Sequence, residues 1–209
     1  MNKKGFTLAE VLITLGIIGV IAAITLPTLM TDTTSAQIGP KLAKAVASFE
    51  QANQTMLDAY SVDSLIDAGL TNNIGTYASA VSKHFKITDI GSSKYLSKDG
   101  MIYTFQLDST TNIDTSNPAH LQKIGSVTID INGNAKPGEA GTDIFYFSLW
   151  GDGSLRPKGG TNWNGASSSA SGGTEHWSQK CKAADQGIVS DYKYCAGHVF
   201  ENNLKVLYR

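Results

Sequence analysis

Glu10 is the only formally charged residue between Phe6 and Leu26. The run FTLAEVLITLGIIGVIAAITL is long enough to cross a hydrocarbon core of about 30 Å as a helix. A carboxylate in such a segment costs roughly 2.5–3.5 kcal/mol on insertion scales, so its presence calls for a partner. The chain itself offers one. A cut after Gly5 would place a new amino group on Phe6, four residues and one helical turn before Glu10. That amine would neutralise its own Glu10 or the Glu10 of a neighbouring copy. A secretory signal peptide has its small-residue cleavage site after the apolar region, whereas Gly5 lies before it. Cleavage here would remove a basic pentapeptide and leave the helix on the mature chain.

Two other constellations bear chemistry. Asp130, Asn132, Asn134 and Asp143 place side-chain oxygens two residues apart beside glycines and then close the set. Such donors wrap a hard cation, calcium above all. The competing reading is a turn built from Asn-Gly and Asp, which needs no ion. The twelfth-position glutamate of an EF-hand is missing. Near the C-terminus, His176, Cys181, Cys195 and His198 have the residue types of a tetrahedral zinc site. The alternative is a Cys181–Cys195 disulfide with two unconnected surface histidines, which export to an oxidising compartment favours. That bridge would close a loop of about 15 residues, worth roughly 3 kcal/mol in the chain-entropy model.

No catalytic set emerges. His84, His120, His176 and His198 are scattered, and there is neither a nucleophile elbow nor a phosphate loop. An enzyme is therefore not expected, and no cofactor is required unless the calcium reading holds. Net charge is −1, with no basic cluster beyond Lys180 and Lys182, so no specific nucleic-acid partner is expected.

The elements that would position these residues read as an α+β fold. Lys3 and Lys4 place the N-terminus in the cytoplasm by the positive-inside rule, and the remaining chain outside. Gly16 and Gly19 are either ordinary membrane composition or a soft point in the helix. Pro27 should kink the helix or start a new segment, and Gly39-Pro40 is a second break. From Lys41 the helical period resumes, with Leu42, Val46, Phe49, Met56 and Tyr60 on one stripe and Ala45, Ala52 and Ala59 widening it. Ser64–Leu70 reads as a short helix ended by Gly69, and Thr76–Lys86 as another. Strands are expected at Met101–Asp108, Gly125–Ile131 and Asp143–Trp150, with Leu155 in a short fourth. They should form an antiparallel meander folded over the amphipathic stripe. The chain thus divides into a leader (1–5), a membrane helix (6–30), an amphipathic half of the same stalk (31–60) and a globular head (61–209). A Gly/Ser-rich loop spans 158–173.

The stretch KGFTLAEVLITLGIIGVIAAITLP resembles the N-terminal segment of type IV pilins and type II secretion pseudopilins. The resemblance rests on the basic leader, Gly5, Phe6, Glu10 and Pro27, and covers about Lys3 to Pro27. It implies that a prepilin peptidase cleaves after Gly5 and methylates the new N-terminus at Phe6. It further implies that Glu10 and Phe6 act in assembly, and that the protein is a structural subunit packed with its own copies. The expected partners are copies of itself, the prepilin peptidase and an inner-membrane assembly platform. The expected location is the inner membrane, single-pass, and afterwards an extracellular pilus or a periplasmic pseudopilus. The first reading is a type IV pilus subunit serving adhesion, motility or DNA uptake; the second is a secretion pseudopilin. Many pilins close a C-terminal loop with a disulfide, which would make Tyr192, Lys193 and Tyr194 contact candidates. Some pseudopilins hold calcium near the position of the Asp130 loop. A reading from another class is a membrane-anchored carbohydrate-binding or hydrolytic domain using Trp150, Trp163 and Trp177 as stacking platforms.

Overall fold

The computed structural model describes residues 5, 7–108, 118–135, 138–160, 177–181 and 191–204, with backbone alone for 26–35 and 178–179. The chain divides into two units, Met1–Gln37 and Ile38–Arg209. Helix α1 spans Leu8–Tyr60. Neither Pro27 nor Gly39-Pro40 ends it, so no new segment starts at either position. A proline deletes one backbone donor, and the ladder on either side is enough to carry the helix on. At the second site packing also overrides propensity. Gly39 is buried where the backbone of Leu204 occupies the place a Cβ would take, so glycine marks a chain crossing and not a stop.

In the first unit, the apolar segment Leu8–Thr25 has no buried residue, and it is long and apolar enough to cross a membrane. In the second unit, α1 is amphipathic. Leu42, Ala45, Val46, Phe49, Ala52 and Met56 are buried in one hydrophobic cluster with residues of the sheet. Ala59 and Tyr60, expected on that stripe, are exposed, while Asn53 and Leu57 are buried.

The sheet has six strands in sequential order, all antiparallel: β1 Ile87–Gly91, β2 Lys94–Ser97, β3 Ile102–Leu107, β4 Lys123–Asp130, β5 Ile144–Trp150 and β6 Leu155–Pro157. The expected meander and its four strands are present, with ends shifted by a residue or two; β4 begins at Lys123, two residues before the expected Gly125. The β1–β2 hairpin was not anticipated. β1 is exposed along almost its whole length and so shows no apolar alternation. Helix α2 covers Ile74–Val81, starting earlier and stopping sooner than the expected Thr76–Lys86. Its start is set by Asn73, whose side chain accepts from the Gly75 and Thr76 amides. Ser64–Leu70 is a series of turns and not a helix. The Leu65 amide is spent on the Gly151 carbonyl at 2.7 Å, and Leu65 and Leu70 reach the core from there.

Packing of α1 on the sheet is aromatic at its centre. Phe49 lies 5.8 Å from Tyr103, 5.6 Å from Phe105 and 5.8 Å from Phe85, ring centre to ring centre. Beside this apolar contact runs a polar seam. Asn53 Nδ2 donates to the Gly153 carbonyl at 2.9 Å and Asn53 Oδ1 accepts from the Tyr77 hydroxyl at 2.9 Å, both buried. Gln54 donates to the Asp152 carbonyl at 2.7 Å, and Glu50 accepts from the Leu155 amide at 2.8 Å. Gly153 is needed on two counts. Its φ is +79°, and a Cβ there would strike the Asn53 side chain. The β5–β6 turn and the start of β6 are thereby tied to α1 by three polar side chains, Glu50, Asn53 and Gln54, beside the apolar stripe.

Replacing Asn53 with alanine strands two buried partners. We expect Asn53→Ala to lower the unfolding free energy of the detergent-solubilised chain by roughly 2–4 kcal/mol in denaturant titration. A change below about 0.5 kcal/mol would show the seam to be passive. Glu50 supplies a pH signature. Burial pushes its carboxyl above the ordinary carboxylate value; the Leu155 amide opposes this and the nearby Asp152 adds to it. A raised native value means that the folded state holds the proton more tightly. Stability from this group is therefore full below the unfolded carboxylate range and is lost as pH rises through the native value. Glu50→Gln should flatten that portion of the melting-temperature profile between about pH 4 and neutrality; parallel profiles for variant and wild type would contradict it.

Candidate functional site

The start of α1 is built by two side chains. The Thr7 amide and the Thr7 hydroxyl both donate to Glu10 Oε2, each at 2.8 Å. In return the Glu10 amide donates to Thr7 Oγ1 at 3.3 Å. The pair forms a reciprocal capping box that occupies donors a helix start leaves unpaired. Glu10 also sits at the positive pole of the helix, where a carboxylate is favoured. The local helix therefore meets part of this acid's demand before any second chain arrives. Thr7 was not singled out from the sequence, although the T-x-x-E spacing ahead of an apolar run carries the pattern. Gly5 is exposed, and a Cβ there would meet nothing within 4 Å. Packing among the described residues gives no reason for glycine at this position. Phe6 lies outside the described residues.

The candidate cation loop is brought together in part. The Ile131 amide donates to the Asp143 carbonyl at 2.9 Å, which sets Asp130 and Asp143 at the same end of β4 and β5. Asp143 is buried and accepts from the Gly138 amide at 2.7 Å and the Glu139 amide at 2.6 Å, one on each oxygen. Asp130 accepts from the Asn132 amide at 3.2 Å. Its carboxyl is pushed up, first by burial and further by the charge of Asp143. Asn134 is exposed. Among the described residues no three His, Cys, Asp or Glu side chains form a cluster. These bonds are those of an Asx-type turn, with carboxylate lone pairs left over.

At the C-terminal end Cys181 and Cys195 are bridged, with Cα atoms 5.1 Å apart, and both are buried. Bridged cysteines present no thiolates, so the two-Cys, two-His zinc reading falls. His176 lies outside the described residues. His198 packs edge-on to Trp177 at 4.5 Å between ring centres. The bridge joins α3 (Trp177–Lys180) to α4 (Cys195–Glu201). Both are docked on the chain just after β6, through the Trp177 amide to the Gly159 carbonyl and the Gly197 amide to the Lys158 carbonyl. Of the three contact candidates, Tyr192 and Lys193 are exposed. Tyr194 is buried, with the Lys158 ammonium 4.5 Å from its ring centre. Trp150 is buried with the Arg156 guanidinium 3.4 Å from its ring centre. Trp177 donates to Glu201 at 2.7 Å. Trp150 therefore offers no open stacking face, and Trp163 lies outside the described residues.

The class defined by these features is an α+β protein of pilin-like layout, whose N-terminal helix suits a membrane. Residues 1–26 match the prokaryotic N-terminal methylation motif, the prepilin-type signature of type IV pilins and pseudopilins. The N-terminal segment is thus that of a type IV pilin- or pseudopilin-like protein, a class of structural subunits. The motif implies processing by a prepilin peptidase and polymerisation. No curated protein and no solved structure matches the chain.

The capping box yields its own test. Thr7→Ala removes the reciprocal bonds and should weaken the first turn by about 1 kcal/mol. Amide exchange in the first turn of the micelle-embedded helix should then speed up about fivefold. Unchanged exchange there would show that Thr7 does not hold the helix start.

Proposed function

We propose that this protein is a structural subunit of a type IV pilus. It is stored in the inner membrane with its N-terminus in the cytoplasm, cleaved after Gly5, methylated at Phe6, and assembled with copies of itself. One observation carries the reading. The helix Leu8–Thr25 is apolar on every side, no residue of it is buried among the described residues, and its single acid stands at the first turn. In lipid such a helix is stable alone; outside lipid only other copies can cover it. Glu10 then selects the position at which a copy docks, because an incoming amine on Phe6 is the charge that matches it. Buried ion pairs add little to stability, yet they can serve as registry devices. The C-terminal disulfide element, with exposed Tyr192 and Lys193, fits the outward surface of a filament.

A second reading, a type II secretion pseudopilin, rests on the Asp130–Asp143 turn. Two carboxylates of one turn, with the Asn132 and Asn134 amides close in sequence, would serve as calcium ligands in that reading.

The pilus reading predicts the outcome of two substitutions in cells that assemble filaments and carry no wild-type copy. Gly5→Val should leave an uncleaved chain in the membrane. Glu10→Ala should be cleaved and inserted normally, but filament recovered by shearing the cell surface should fall by about tenfold or more. Normal filament yield from Glu10→Ala would refute the registry role. Wild-type chain confined to the periplasm would turn the choice toward the pseudopilin.

A further inference from the structure

A cavity of about 190 Å³ opens on the second unit between α1, the segment after α2 and the β2–β3 hairpin. Its floor is apolar, made by Phe85, Met101 and Tyr103, and its rim carries Lys44, Lys86 and Lys98. Phe85 and Tyr103 meet edge to face at 5.0 Å, so the floor is a fixed aromatic surface. One rim charge is matched, since Lys44 pairs with Asp99 at 2.7 Å. Lys86 and Lys98 make no ion pair among the described residues. The cavity is therefore of side-chain size, greasy below and cationic above. It suits an aromatic group flanked by carboxylates.

The same subunit presents that chemistry elsewhere. The last turn of α1 contains no basic residue, and Asp58 lies there, with Asp63 just beyond; both are exposed. Between them Tyr60 is 45% exposed. Carboxylates at this end add to the negative pole of the helix, an arrangement that is unfavourable until a cation arrives. Lys44 and Asp58 are separated by 14 residues of one helix, about 21 Å along its axis, so the two patches cannot meet within a chain. Contact between patches at different places on a subunit is heterologous, and such contacts propagate as open filaments when they do not close a ring.

We propose that the cavity rimmed by Lys44, Lys86 and Lys98 receives Tyr60 of a neighbouring copy, with Asp58 and Asp63 of that copy against the lysines. This rests on the filament reading above and gives it a heterologous contact between globular domains besides the Glu10 registry. The charges steer and orient the approach, while the ring in the cavity supplies the buried area.

The test uses the full chain in filament-assembling cells. The pair Lys98→Cys with Asp63→Cys should give a ladder of covalent multimers in sheared filaments after mild oxidation, and neither single variant should. Lys86→Glu with Lys98→Glu should lower filament yield about tenfold, and adding Asp58→Lys with Asp63→Lys should restore most of it. All four positions are exposed, and melting temperatures of the membrane-extracted variants within a few degrees of wild type confirm that the fold is kept. Filaments at normal yield from the reversed lysines, with no ladder from the cysteine pair, would overturn this contact and leave the pilus reading standing. A wild-type chain that never enters filaments would overturn both. Saturable binding of a free aromatic carboxylate by the detergent-solubilised chain, lost in the reversed lysines while their filament yield stays normal, would make the cavity a ligand site and reject the proposal.

Discussion

The seating of α1 on the sheet governs the second unit. Phe49 is wholly buried among Tyr103, Phe105 and Phe85, and one turn further the buried amide of Asn53 bridges the Gly153 carbonyl and the Tyr77 hydroxyl. The apolar contact supplies most of the energy, at roughly 1.5–3 kcal/mol for each large side chain fully buried. Register comes from the polar one. A helix sliding on a greasy sheet loses little, whereas a helix that misplaces Asn53 leaves several buried polar groups unmatched. The β5–β6 turn and α2, through Gly153 and Tyr77, are both tied to this seam.

The first unit obeys the opposite rule. No residue of Leu8–Thr25 is buried among the described residues, and the segment is long and apolar enough to cross a membrane. Its acid is met by Thr7, whose amide and hydroxyl both hold the carboxylate. The second unit, by contrast, buries its apolar residues in a core of its own.

The C-terminal element shows how covalent and weak interactions divide the work. The Cys181–Cys195 bridge limits the freedom of α3 and α4, two helices of 4 and 7 residues that are too short to persist alone. Backbone bonds to Lys158 and Gly159 then anchor them beside β6. Crossing of Leu204 over Gly39 brings the end of the described chain back to the start of the second unit, and only a residue without a Cβ permits that approach.

Much of this was legible from residue order alone. The apolar run with its lone acid, the amphipathic period from Leu42 to Met56, the alternation in two strands and the more continuous apolar run of a third are local patterns that the fold keeps. The capping box was legible too, in Thr7 and Glu10 three residues apart. What residue order could not supply were matters decided by distant partners. Tyr60, the last residue of the helix, is exposed. Ser64–Leu70 forms turns from which Leu65 and Leu70 reach the core. The β1–β2 hairpin forms from strands with no period of their own. Asn53 became the register of the head only when Tyr77 and Gly153 converged on it. A sequence determines what each short segment prefers in isolation; tertiary structure decides which preferences are overruled, because a buried amide or hydroxyl must be paired by whatever the fold places within about 3 Å of it.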